Sequence, residues 1–333
     1  NGKELLNFNN VKSQLKECLK INKLHQSLIL DGEIVSTNFQ ELMKQIYRKD
    51  NVQNNDAILN LFDCLPFDEF KNGISTKTQT EKNFYFSHML NCIYDCRYCF
   101  LQGMFDSANY VIFINYKDFL NEIKKKVNQL KGSSIHFFSG YDCDSLALEP
   151  VSHFMKYLIN RLDQNSDILL ELRTKSTQIN FLTNQKVIKN ILIAFTLSPN
   201  EIIENYEFKT ASLKKRIRAI KLLQDIGWKI GLRFDPIIYS VNYKEIYEDF
   251  FNSVFNSIDQ EKIHSVTIGT LRMPNNFFKK LIKNYPNEHN LFSETKQQKK
   301  LTTYDNGLNE DIINFCKKKI ISYIDKEKLY INN

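Results

Sequence analysis

Residues 84–100 read FYFSHMLNCIYDCRYCF, an aromatic run that ends in three closely spaced cysteines. Residues 84–90 have the composition of a strand. The segment that follows places Cys92, Cys96 and Cys99 in the spacing C-x₃-C-x₂-C, with Tyr98 and Phe100 flanking the last of them. Three thiolates on one short loop can each bind a different iron of a 4Fe–4S cubane, whereas electron-transfer clusters take four cysteines. The remaining iron is then open to a chelating ligand. Structural zinc needs four protein ligands, but no second Cys or His pair stands at zinc-finger spacing, and His88 would have to ligate from within the strand. A redox pair Cys96-Arg97-Tyr98-Cys99 leaves Cys92 and Tyr98 without a purpose. The cluster reading accounts for all three thiols.

Outward from this stretch the chain settles into a rhythm. Strand-like runs are predicted at 84–90, 134–138, 168–172, 191–197, 229–234 and 263–269, and helices between most of them, at 116–130, 151–162, 212–226 and 243–255. The clearest helix starts from Thr210 or Ser212 as N-cap, lines up Leu213, Ile217 and Ile220, and stops at Gly227. Alternating strands and helices imply an α/β fold with a parallel sheet and right-handed crossovers. Six repeats fall short of a closed eight-fold barrel, so an open barrel and a doubly wound sheet both fit. Residues 1–80 read as a looser accessory region, with helical spacing only at 38–46. Residues 81–275 read as the core, and 276–333 as a C-terminal helical extension. In either architecture ligands gather at the carboxyl ends of the strands, which draws attention to residues 92–99, 139–143 and 173–176, to Ser198 and to Asp235.

The 333 residues are 42% hydrophobic and 25% charged, ordinary for a soluble protein. No run approaches the ~20 apolar residues of a membrane span. The opening NGKELLNFNN is not a signal-peptide pattern, and a cytoplasmic protein is expected. Seven cysteines, an odd number with three of them clustered, argue against a secreted disulfide framework. Cys18, Cys64 and Cys316 lie far from the cluster motif and read as ordinary thiols. A net charge of +7 suits a polyanionic partner, and equally a solvated lysine-rich surface.

The motif resembles the signature of the radical S-adenosylmethionine superfamily, whose members share a partial (β/α)₆ barrel. The stretch CRYCFLQGMFDSANYVIFIN, with ELRTKS, AFTLSP and GWKIGLRFDPIIY further on, is similar to the spore photoproduct lyase family over about residues 83–275. The resemblance implies that Cys92, Cys96 and Cys99 hold a 4Fe–4S cluster. It implies too that S-adenosylmethionine is contacted by Ser139, Gly140, Lys175, Ser198, Tyr98 and Phe100, with Tyr98 counted among the catalytic residues as well. The family's hydrogen-donating cysteine aligns with Tyr141, and Cys143 falls two places later; either O–H or S–H can quench a carbon radical. The family pattern has Tyr where Phe100 stands. Three functions follow as expectations: a carbon–carbon lyase repairing damaged pyrimidines in DNA, a radical enzyme acting on RNA, a peptide or a small metabolite, and a non-catalytic cluster-bearing sensor. The first two need a reducing donor such as flavodoxin or ferredoxin, and none of the three involves a membrane.

Overall fold

Seven parallel strands form the central sheet: β1 (Glu81–Phe86), β2 (Ser134–Ser139), β3 (Ile168–Thr174), β4 (Ile191–Thr196), β5 (Lys229–Ile237), β6 (Ile263–Thr270) and β7 (Leu329–Ile331). They lie side by side in chain order, each in parallel register with the next. A doubly wound sheet reverses its order at a switch point. This one never does, so of the two architectures the curled open barrel is the one adopted. The computed structural model describes residues 26–30, 33–34, 81–105, 110–113, 115–130, 132–162 and 168–332. The expected helix at 38–46, Cys18 and Cys64 lie outside them.

Strand alternation sorts the side chains into two faces. Phe84, Phe86, Phe137, Leu170, Leu172, Ile193, Phe195, Leu232 and Phe234 point outward into one hydrophobic core, and helices cover them. The main helices are α1 (Leu101–Met104), α2 (Tyr116–Gln129), α3 (Phe154–Ile159), α4 (Leu213–Ile226), α5 (Tyr243–Phe255), α6 (Asn275–Asn284) and α7 (Asn306–Ile320). Phe234, for example, meets Phe250, Phe251 and Phe255 of α5 edge to face. The concave face carries the alternate residues, among them the polar His136, Glu171, Arg173, Thr196, Arg233, Asp235 and Thr267 beside Tyr85 and Phe138.

Three expected elements differ in detail. The run 84–90 splits into β1 and a short strand Met89–Leu90, because Ser87 leaves the ladder and accepts the Asp142 amide at 2.8 Å. Met89–Leu90 pairs instead with Tyr110–Phe113, on whose other edge Gln26–Leu30 lies parallel. The helix expected over 151–162 breaks at His153, which is left-handed at φ 53°. Glu149 holds the break by accepting the amides of Met155 and Lys156, both at 2.9 Å. Helix α4 is rotated from the expected phase: it buries Leu213, Arg216, Ala219, Ile220 and Leu223, with Ile217 only half-buried. Its stop at Gly227, φ 104°, is as expected.

The stretch 276–333 holds most of α6 and all of α7, and it also contributes strands. Thr295–Gln298 and Leu301–Tyr304 form an antiparallel sheet with Arg272–Pro274, and β7 extends the main sheet beyond β6. Among the described residues no helix is long and apolar enough to cross a membrane.

Candidate active site

The cysteine loop leaves the Met89–Leu90 strand and is held at its middle. Asp95 and Cys96 pair antiparallel with Glu207 and Phe208, and the Arg97 amide bonds the Tyr206 carbonyl at 2.8 Å. The last cysteine closes a turn, its amide reaching the Cys96 carbonyl at 3.0 Å, and leads into α1. Cys96 is buried, while Cys92 and Cys99 are half-buried.

Burial pushes the Cys92 thiol up to about 12 and raises Cys96 and Cys99 as well. Lys175 pulls against this at Cys96 and, with the Leu101 amide, at Cys99, whereas at Cys92 the Tyr94 amide opposes it more than Lys175 does. Burial works against the Lys175 charge, but Cys96 and Glu207 outweigh it and hold the ammonium in place. Lys175 thus stands over the loop from the carboxyl end of β3, its Nζ 5.3 Å from the centre of the Tyr98 ring.

Among the described residues no three His, Cys, Asp or Glu side chains converge as ligands of one ion would. Three thiols on one loop fit a cubane, in which each thiolate takes its own iron. Because thiolates are the ligands, loading iron here displaces three protons from thiols that burial keeps protonated. The donor set, all sulfur with one nearby cation, suits a cluster that leaves room for an anionic chelate.

Two buried carboxylates fix this geometry, and of them Glu207 was not singled out by the sequence. Asp144 accepts the Leu146 and Ala147 amides at 3.0 and 2.9 Å, and the Thr174 hydroxyl and Lys175 amide at 2.7 Å. It therefore ties the loop after β2 to the end of β3 and sets where Lys175 begins. Glu207 lies beneath the cysteines. It accepts the Tyr98 hydroxyl in a very short bond, the Ser198 hydroxyl at 2.8 Å and Arg216 Nη2 at 2.5 Å. Burial would raise the Glu207 pKa, but Lys175 and Arg216 prevail and hold it below the usual range. Arg216 is buried on α4 and a buried charge needs a partner, but the expected apolar stripe of that helix ran through Ile217 instead.

The expected site residues divide accordingly. Cys92, Cys96, Cys99, Tyr98 and Lys175 come together. The hydroxyl of Ser198 is engaged by Glu207, one layer behind the loop. Ser139 faces the helices, its hydroxyl directed at Met155 Sδ at 3.9 Å and accepting from Ser145 Oγ at 3.2 Å. Gly140 makes the turn after β2 at φ 80°, where a Cβ would stand 2.6 Å from Ser145 Oγ. Cys143 is buried, its thiol raised by desolvation and by Cys92 and Asp142 nearby. Tyr141 is 42% exposed.

Tyr141 belongs to an arc of rings along the concave side. Tyr85 stacks on Phe138 at 4.8 Å and meets Tyr141 edge-on at 5.3 Å. Phe100 lies 5.6 Å from Tyr141 and 6.4 Å from Phe277 of α6. Below the arc is a charged floor. Glu171 takes Arg233 through both oxygens at 2.9 and 2.7 Å and Arg173 at 2.7 Å, with His136 Nε2 3.3 Å away. Burial would raise Glu171, but Arg233 and Arg173 overcome it and hold it ionised. Beside it Asp235 takes Arg272 through two contacts of 3.0 Å. Flat rings above a floor of fixed charges can stack a planar heterocycle and bond its polar edge.

A family model described as spore photoproduct lyase matches residues 75–326. The spore photoproduct lyase of Bacillus subtilis is 24% identical over 240 residues, 70% of this chain and 70% of that protein. The one from Clostridium acetobutylicum is 24% identical over 197 residues, 59% of this chain and 58% of that protein. Among solved structures, a spore photoproduct lyase variant with bound AdoMet and dinucleoside spore photoproduct overlays with a TM-score of 0.66 at 17% identity, covering 79% of each chain.

Proposed function

The chain belongs to the spore photoproduct lyase family, and on that footing we propose that it is a radical S-adenosylmethionine enzyme that repairs a damaged pyrimidine pair in DNA. The observation that carries this reading is the meeting of Cys92, Cys96 and Cys99 with Lys175 at the mouth of a polar half-barrel. Cys92, Cys96 and Cys99 would hold the 4Fe–4S cluster, and Lys175 would pair with the carboxylate of S-adenosylmethionine. When bound, the two cofactors supply a one-electron reductive cleavage to methionine and a 5′-deoxyadenosyl radical.

The chain's own residues do the rest. Tyr98, Ser198 and Arg216, through Glu207, keep the loop in one shape. The arc of Tyr85, Phe138, Tyr141 and Phe100 excludes water and stacks the lesion. Tyr141 would give its phenolic hydrogen atom to the product carbon radical once the bridging carbon–carbon bond has broken. The phenoxyl left behind returns to phenol with an electron and a proton from the reductant. Cys143, sunk beneath the surface, serves as packing.

A second reading, a radical enzyme with another substrate, draws on Tyr141 and Phe100, where the family pattern has Cys and Tyr. One experiment separates the two. The chain is reconstituted anaerobically with iron and sulfide, reduced with dithionite, and given S-adenosylmethionine and dinucleotide spore photoproduct. The expected result is 5′-deoxyadenosine and repaired dinucleotide, both abolished in Cys96→Ala. Tyr141→Phe should keep S-adenosylmethionine cleavage and lose repair, with Cys143→Ala retaining both. Cleavage without repair in the unaltered chain selects the second reading; no cleavage at full cluster loading defeats both.

A further inference from the structure

The cysteine loop also walls a cavity of about 460 Å³, and Lys175 is not among its lining residues. Cys92 is the one cysteine of the three in its wall, together with Asn91, Ile93, Tyr94 and Asp95 of the same loop. Among the described residues its charged lining is three lysines, Lys209, Lys280 and Lys283, against one carboxylate, Asp95. That carboxylate is already engaged, by Arg97 at 3.2 Å and by Tyr285 Oη at 3.3 Å. The surface here is therefore positive.

Next to Tyr285 and Lys209 of the cavity lining, an arginine sits between two rings. The Arg97 guanidinium lies 4.1 Å from the centre of the Tyr285 ring and 4.9 Å from that of Phe208, and Phe208 is 37% exposed. Aromatic residues and arginine are the side chains enriched at protein interfaces. The backbone is also held in an unusual state at this place. Asn91 at φ 72° and Lys209 at φ 66° both line the cavity, in the left-handed region that side-chain-bearing residues rarely adopt. Lys209 directly follows the Glu207–Phe208 strand that pairs with Cys96, so the same turn that secures the loop delivers a cation beside it.

We propose that this face receives an acidic one-electron carrier protein, which reduces the cluster through the Cys92 side of the loop. The proposal rests on the reading of Cys92 as a cluster ligand. The step is a single electron passing from carrier to cluster, with no bond made or broken in the chain. A carrier docked here leaves the arc of rings on the concave side open to substrate. Duplex DNA is the other polyanion the lysines would attract. A cavity walled by Cys92, with an exposed aromatic next to its lining, favours the carrier, since backbone phosphates gain nothing from either. Electron-transfer complexes are small and brief, and opposite charges raise their encounter rate more than their lifetime.

The test uses the cluster-loaded full chain, reduced flavodoxin as the acidic carrier, and the double variant Lys209→Glu/Lys283→Glu. Cluster reduction by flavodoxin should slow about tenfold or more in the variant, and the wild-type rate should fall with added salt. Reduction by dithionite should change by less than about twofold on the same scale. Calorimetric affinity for oxidised flavodoxin should drop with the charge reversal, and also in Phe208→Ala, which leaves every charge in place. An unchanged flavodoxin rate, or an equal loss with dithionite, overturns the proposal. So does a variant that loses affinity for duplex DNA while its flavodoxin kinetics stay as they were. Failure of the cluster reading is distinguishable, because the wild-type chain would then show no cluster spectrum before any donor is added.

Discussion

Asp142 is the residue whose environment asks most of it. It is fully buried, and among the described residues neither carboxylate oxygen has a hydrogen-bond partner. Burial, tempered by the Ser87 hydroxyl nearby, pushes its pKa up to about 7. A carboxyl raised in the folded state binds a proton there that the unfolded chain has already released. Stability therefore falls as pH climbs from about 4, the unfolded value, to about 7, and levels off above. Asp142→Asn removes this penalty, on the order of a few kcal/mol at alkaline pH. The variant should melt higher than the parent at pH 8 and at nearly the same temperature at pH 4. A melting difference that does not change with pH would show that the carboxyl is solvated after all. Residues of this kind mark the limit of reading a sequence. That the three cysteines and Lys175 would come together was legible, the cysteines from their spacing and Lys175 from the family resemblance. Glu207 was not, because its bond to Tyr98 spans 109 positions, and nothing local to residues 200–210 announces it. Ser139 was expected just past a strand ending at 138, but the strand runs through it, and period-two alternation turns its hydroxyl to the helices.

Among elements, the pair of two-residue strands Asp95–Cys96 and Glu207–Phe208 carries more than its length suggests. Its backbone bonds position the central cysteine, and the Glu207 side chain anchors both Tyr98 and Arg216. Breaking a buried ion pair by removing one partner costs about 3–5 kcal/mol, whereas replacing both partners with apolar groups costs far less. Glu207→Ala should therefore destabilise the chain strongly and lower iron uptake, and Glu207→Leu/Arg216→Leu should recover most of the stability. Denaturation midpoints of the three proteins decide it; a double variant no better than the single would mean that Arg216 is satisfied by the Thr196 and Ala211 carbonyls alone. The strands themselves were readable, since runs such as 191–197 are apolar enough to declare a buried sheet. The phase of α4 was not, because the best apolar stripe through Ile217 competes with the electrostatic need to bring Arg216 inside.

At the scale of the whole molecule, expectation divided the chain at 275/276. Position 103 joins what that division separates. A Cβ on Gly103 of α1 would stand 2.0 Å from the Phe277 carbonyl oxygen of α6, so the two helices touch backbone to backbone with no side chain between. Inserting one methyl group at such a contact costs about 1–3 kcal/mol. Gly103→Ala should lower the unfolding free energy by that amount, read as a lower urea midpoint at an unchanged m-value, and an unmoved midpoint would mean the helices can part freely. The joint works like a tooth in a gear. Cys99 and Phe100 sit at the start of one wheel, Phe277, Lys280 and Lys283 on the other, and there is no backlash between them. A push on the lysine-bearing helix is a push on the last cysteine and on the ring that guards it.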